Sequence, residues 1–227
     1  WSQLPPLTTR RNTSRSIEDI LRWRTVDHRV HRQLLASVNN LIIHGDFNQT
    51  LTKGMLPANI SHLTFAHCSR FNQTLAVGVL PYELRSLGFF GDYDQELHEG
   101  ELPENLQELT FTRRFPKGKG VLPVNLRRIT SFVNLAEPLS TGVLPAGLEC
   151  INIYCDSHQW LGKGVIPRGL KQLSLDDKFN RPLSQGMLPV NLTHLTFRRG
   201  FNQSLDVKYL PSKLQHLTFG MNFNQPL

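Results

Sequence analysis

In this 227-residue chain the side chains with the widest chemical range are a few histidines, cysteines and paired acids. His194 and His216 stand one repeat length apart. On neighbouring strands they would lie about 5 Å apart, close enough to share a metal through neutral imidazole nitrogens. No third ligand accompanies them at a suitable spacing, so no metal site is expected. Cys68, Cys150 and Cys155 are odd in number and lack a Cys-x-x-Cys pair. That predicts free, buried thiols in a reducing compartment rather than a disulfide framework or a zinc site. Asp176 and Asp177 read as a solvated turn. Lys117-Gly118-Lys119-Gly120 carries basic groups but lacks the strand and helix that would make it a phosphate-binding loop. Neither a Gly-x-Ser-x-Gly elbow nor a His-Glu-x-x-His pair occurs. Without a nucleophile, a base and an orienting group in one pattern, the sequence predicts no enzyme and calls for no cofactor.

The elements that would hold these residues come from a repeat. A Gly-x-Leu-Pro-like tetrapeptide ends at Pro57, Pro81, Pro103, Pro123, Pro145, Pro167, Pro189 and Pro211, mostly 22 residues apart. A Leu-x-x-Leu-x-Phe segment follows each, clearest at Leu106/Leu109/Phe111, Leu192/Leu195/Phe197 and Leu214/Leu217/Phe219. Val38/Leu41/Ile43 is an earlier copy without the Gly and Pro. Alternation in the second half of that segment marks a short strand with one buried face. One strand per period predicts a parallel sheet in which each unit buries its apolar face only by stacking on its neighbours. The expected fold is therefore a β-rich, leucine-rich-repeat-like solenoid, residues 37–227, of about eight to nine repeats. In most copies a Phe-Asn-Gln-like stretch follows the strand, with its Asn five residues on at Asn48, Asn180, Asn202 and Asn224 and two residues further out at Asn72. Such Asn side chains can bond the backbone of an adjacent turn and form a ladder, expected to point inward. The sequons at Asn48, Asn72 and Asn202 are then part of the repeat grammar rather than a mark of secretion.

The text Phe179-Asn180-Arg181-Pro182-Leu183 and Phe223-Asn224-Gln225-Pro226-Leu227, with the Gly-x-Leu-Pro ends, resembles the FNIP repeat, a leucine-rich-repeat relative. The resemblance spans residues 38–227. It implies a protein of the amoebal or giant-virus type, in which such repeats often stand behind an F-box. The middle copies depart from the pattern. Phe115-Pro116-Lys117 is two residues short, and Leu135-Ala136 and Ser157-His158 replace Phe-Asn. The ladder is expected to break there.

The strand residues that face out would form rows along the concave surface. The first reads His62, Ser86, Glu108, Arg128, Cys150, Gln172, His194, His216, and the second is small and polar from Thr64 to Thr218. The third reads Ala66, Phe90, Thr112, Phe132, Tyr154, Asp176, Arg198, Gly220. Phe90, Phe132 and Tyr154 are apolar where a surface should be polar, with Arg128 beside them. Aromatics with Arg are common anchors of protein interfaces. Phe90, Arg128, Phe132, Tyr154, Asp176 and Arg198 are therefore the candidate partner-binding residues.

Residues 1–36 form a separate lead. Ser16 with Glu18 and Asp19 reads as a helix start, and Ile20, Trp23, Val26, Val30 and Leu34 continue at helical spacing. A capping helix ending near Leu35 is expected, or else the tail of an F-box. The lead supplies most of the net charge of +7, since seven Arg oppose Glu18, Asp19 and Asp27. The solenoid is nearly balanced, which speaks against a nucleic-acid groove along it. The leading expectation is a non-catalytic protein–protein interaction scaffold, as in the substrate-recognition arm of an F-box-type ubiquitin ligase. The alternatives are a structural virion component and a basic-tail nucleic-acid binder. The partner is expected to be another protein, with self-association through an uncapped C-terminal end as a second contact. No apolar run suits a membrane, and a cytoplasmic location, or the virion, follows from the resemblance.

Overall fold

The computed structural model describes residues 38–133, 139–154 and 164–226. The expected capping helix, the basic lead, Cys155 and Leu227 lie outside the described residues. Nine short strands follow one another: β1 (Asn40–Ile43), β2 (His62–Phe65), β3 (Ser86–Phe89), β4 (Glu108–Phe111), β5 (Arg128–Ser131), β6 (Cys150–Ile153), β7 (Gln172–Leu175), β8 (His194–Phe197) and β9 (His216–Thr218). They form one parallel sheet in chain order. The register keeps the repeat in phase: Leu41, Leu63, Leu87 and Leu109 pair in succession, as do Ile129, Ile151, Leu173, Leu195 and Leu217. Among the described residues no helix is long and apolar enough to cross a membrane.

The repeat grammar has a local cause at each step. The Gly of the Gly-x-Leu-Pro copies sits in the left-handed region, as at Gly54 (φ 79°) and Gly142 (φ 86°), where a side chain would be strained. The eighth copy has Lys208 instead, and there the backbone makes a turn of 3-10 helix over Val207–Tyr209, with Asp206 accepting from the Lys208 amide. Each Pro then opens a tight turn. Its carbonyl accepts from the amide three residues on, as in Pro103 to Leu106 (3.0 Å) and Pro145 to Leu148 (3.1 Å). That turn drops the Leu into the core, where Leu84, Leu106, Leu126, Leu148, Leu170 and Leu192 are fully buried.

Behind the sheet the core is largely aromatic at both ends. The strand-end Phe65, Phe89 and Phe111 stack along the solenoid axis, and Phe47, Phe71 and Tyr93 form a second column beside them. The columns interlock, with Phe65–Phe71 centroids at 4.3 Å and Phe89–Tyr93 at 4.0 Å. The same zipper reappears at Phe197–Phe201 and Phe219–Phe223, both 3.9 Å. Between them the strand-end position holds Ser131, Ile153 and Leu175, all buried. At this strand-end position the aromatic column is thus interrupted from β5 to β7.

Candidate functional site

The outward face of the sheet presents the three rows. In the first, Arg128 Nε lies 3.4 Å from a Glu108 carboxylate oxygen, and Arg128 Nη1 lies 3.3 Å from Cys150 Sγ. Cys150 sits in an outward position yet is buried. Burial pushes its thiol pKa up, and Arg128 opposes that shift. One residue before this row, Arg127 and Lys171 flank Glu149. The hydrogen bond from Lys171 holds the Glu149 carboxyl below the usual carboxylate range, opposed by desolvation and reinforced by the charges of Lys171 and Arg127. His194 and His216 lie on adjacent strands with rings stacked at 4.3 Å. Among the described residues no group of three or more His, Cys, Asp or Glu is placed to hold a metal.

The third row carries the aromatics, and it is not uniform. Phe132 and Tyr154 rise from adjacent strand ends with rings parallel at 4.6 Å, near the strand spacing itself. They remain 41% and 38% exposed. The Arg198 guanidinium reaches back over the far side of Tyr154, 3.9 Å from the ring centroid. Phe132, Tyr154 and Arg198 therefore form one continuous stack, π on π and then cation on π. Arg198 Nε is enclosed and has no hydrogen-bond partner.

Three residues grouped with these by sequence behave differently. Phe90 is half-buried and lies back over Gly88, so closely that a Cβ there would stand 2.6 Å from its ring. Its other neighbour is His67, at 5.1 Å. Arg128 is committed to Glu108 in the first row. Asp176 does not face solvent at all. It is 3% exposed and accepts from the Lys178 amide at 2.7 Å, so the turn expected to be solvated is closed by a buried carboxylate. Asp177 beside it is exposed.

Between Phe90 and Phe132 lies a cleft of about 360 Å³ with Thr112 in its floor and His67, Gly91 and Arg113 around it. Thr112 Oγ1 donates to the Phe89 carbonyl at 3.1 Å. Arg113 donates to the Gly91 carbonyl and pairs with Asp92 at 2.6 Å. Row counting does not reach His67 and Arg113, because they belong to the turn after the strand, where the period-2 pattern has ended.

The Asn ladder runs along the edge where the strands finish. Asn48 Oδ1 accepts from the Asn72 amide (2.8 Å) and Gln73 Nε2 (3.0 Å), and Asn72 does the same for Asp94 and Gln95. Asn180 serves Asn202 and Gln203, and Asn202 serves Asn224 and Gln225. The side chains lie along the surface, exposed at Asn48, Asn180 and Asn224 and half-buried at Asn72 and Asn202, rather than inside. The rung after Asp94 fails for a simple reason. The next copy presents Phe115-Pro116, and Pro has no amide to donate. Arg114 Nε approaches the Asp94 carboxylate instead, at 3.4 Å.

The comparisons with known proteins agree with this geometry. The FNIP repeat pattern matches residues 34–68, 47–92, 158–199 and 201–227, more than half of the chain, and skips the irregular middle. The fold is similar to the crystal structure of CroV588, described as a novel circular LRR protein, from a giant virus. The two are 35% identical with a TM-score of 0.71, over 84% of this chain but only 28% of that one. No curated protein matches the sequence. With its Gly-x-Leu-Pro turns, its Phe-Asn rungs and its 22-residue register, this chain belongs to the FNIP-repeat family of leucine-rich-repeat-like solenoids.

Proposed function

We propose that the chain is a protein-binding scaffold whose outward sheet face, from β3 to β8, carries the contact. Solenoids of this repeat type are typically non-catalytic interaction scaffolds. The observation that supports the site is the Phe132–Tyr154 stack, two half-exposed parallel rings beside a middle row of small polar groups, with Arg198 laid against them. Exposed aromatics of this kind yield binding energy when a partner desolvates them, because each brings large area and few rotatable bonds. Their polar neighbours supply a rim.

Affinity capture with the chain and with its Phe132→Ala/Tyr154→Ala variant, followed by binding measurements on the purified partner, tests this. The double variant should weaken binding at least tenfold, the loss expected of interface anchors, while its circular dichroism spectrum stays the same. A partner held equally well by both proteins would remove the aromatic stack from the reading.

A further inference from the structure

We infer that this face takes an extended, acidic segment of another protein, seating one apolar side chain between Phe90 and Phe132 and placing a carboxylate on Arg198 four residues away. The inference rests on the protein-binding reading above and adds the chemistry of what is bound.

The apolar half comes from the cleft. Phe90 and Phe132 belong to positions two strands apart, roughly 9.6 Å between backbones, with Thr112 between them. That gap is wide enough for a Leu- or Met-sized side chain. The floor hydroxyl is already engaged with the Phe89 carbonyl, so an incoming apolar group strands no polar partner.

The acidic half comes from Arg198. Its guanidinium is held in place over Tyr154 and its enclosed Nε lacks an acceptor. The enclosed Nε is out of a ligand's reach, so a carboxylate from outside would make its charge-assisted bond to the outer edge of the guanidinium, a fork that is already oriented. Acids close to the face have their own partners. Glu108 faces Arg128, Asp92 faces Arg113, Asp176 takes the Lys178 amide and Asp177 the Arg199 amide.

The spacing follows from the stack. One strand step carries the cleft centre to Phe132, 4.6 Å more reaches Tyr154 and 3.9 Å more reaches the guanidinium carbon. The span is about 13 Å, which an extended chain rising about 3.3 Å per residue covers in four residues. Single-stranded nucleic acid fits less well. It needs cations that follow every phosphate, and the second row, from Thr64 through Thr110 and Thr130 to Thr218, is uncharged.

A displayed library of random 12-residue peptides, selected on the whole chain, tests the motif. It should enrich Leu, Met or Phe with Asp or Glu four residues away. In fluorescence polarisation with the resulting synthetic peptide, Arg198→Gln should cost about tenfold, the low end for loss of a hydrogen bond to a charged group. Changing the peptide acid to its amide should cost the same, and both changes together no more than either alone. Gly88→Ala, which forces the Phe90 ring to move without removing it, should weaken preference for the apolar residue and leave the acid preference intact. Peptides that need Phe132 and Tyr154 but ignore Arg198 would overturn the acidic motif and leave the binding face standing. Peptides indifferent to Phe132 and Tyr154, or no enrichment at all, would overturn both. A single-stranded 12-nucleotide DNA that binds as tightly as the peptide, and is lost with Phe132→Ala/Tyr154→Ala, would replace a protein segment as occupant.

Discussion

The repeats at the two ends and those around β5 and β6 use their aromatic residues in opposite ways. At the ends the rings are inside. Phe65, Phe89 and Phe111, and again Phe197 and Phe219, stack behind the sheet with a second column interlocked beside them. In the middle the strand ends put Ser131 and Ile153 inside, and Phe132 and Tyr154, one residue later, outside. Moving a ring by one residue along a strand end moves it to the other face. The edge changes nearby, since the rung after Asp94 meets Pro116, which has no amide, and among the described residues the ladder is next seen at Asn180. The regular ends carry the interlocked aromatic core, and the irregular centre carries the exposed rings on which the proposed binding reading rests.

That contrast can be broken or sharpened by substitution. The largest effect should come from the aromatic zipper. Phe197→Ala, in a side chain 1% exposed, should cost about 3–5 kcal/mol in urea unfolding, as large core truncations do. A loss under 1 kcal/mol would mean the columns are not structural. Next comes the buried centre. Ser131 Oγ accepts from the Val133 amide at 3.2 Å, and Ser131→Ala should cost about 1–3 kcal/mol by leaving that amide unmet. Asn202→Ala removes the acceptor of both the Asn224 amide and Gln225 Nε2. It should cost about 1–2 kcal/mol, with faster hydrogen exchange at Asn224 as the local sign. Asp94→Ala, at the broken rung, should cost less than Asn202→Ala; equal costs would deny the ladder its role.

Tyr93 gives a smaller, pH-dependent effect. Its hydroxyl is buried in the zipper without a partner. Burial, with Glu101 adding to it, pushes the phenol well above its ordinary 10.0. The folded state then keeps its proton where the unfolded chain releases it. Stability should be flat below pH 10 from this group and fall above it, by at most about 1.4 kcal/mol per pH unit. Tyr93→Phe should remove that slope and be neutral or slightly stabilising at pH 7. A variant that keeps the alkaline slope would assign it to another group. The smallest effect belongs to the exposed stack. Phe132→Ala should cost under about 1.5 kcal/mol, the range of one exposed aromatic pair, although it removes a ring as large as that of Phe197.

The sheet was legible because every step of it is written many times. Eight prolines in phase set the turns, and the alternation after them set the register, so the outward rows can be counted along the sequence. What the rows could not give was the behaviour of individual side chains at the strand ends, where the chain bends and period-2 geometry stops. Asp176 has the sequence position of an exposed residue but folds onto the Lys178 amide. Phe90 looks equivalent to Phe132 but lies down, because its neighbour across the pleat is Gly88 rather than Thr. The Asn residues recur with the repeat, Asn72 reaching its rung despite its longer spacing, yet their oxygens serve the next repeat's edge instead of the interior. Arg198 over Tyr154 joins residues 44 positions apart in the chain, a pairing no local pattern encodes.

The ladder also has a direction. In every rung the earlier repeat supplies the side-chain oxygen and the later repeat supplies the amide and the Gln nitrogen. The solenoid is thus a polar polymer with an accepting end and a donating end. A chain leaving the ribosome N-terminus first builds the donating end first and always carries the open Asn acceptor on its newest repeat. Each new repeat then finds its template already in place, and growth proceeds by adding to a finished surface rather than by waiting for a distant one.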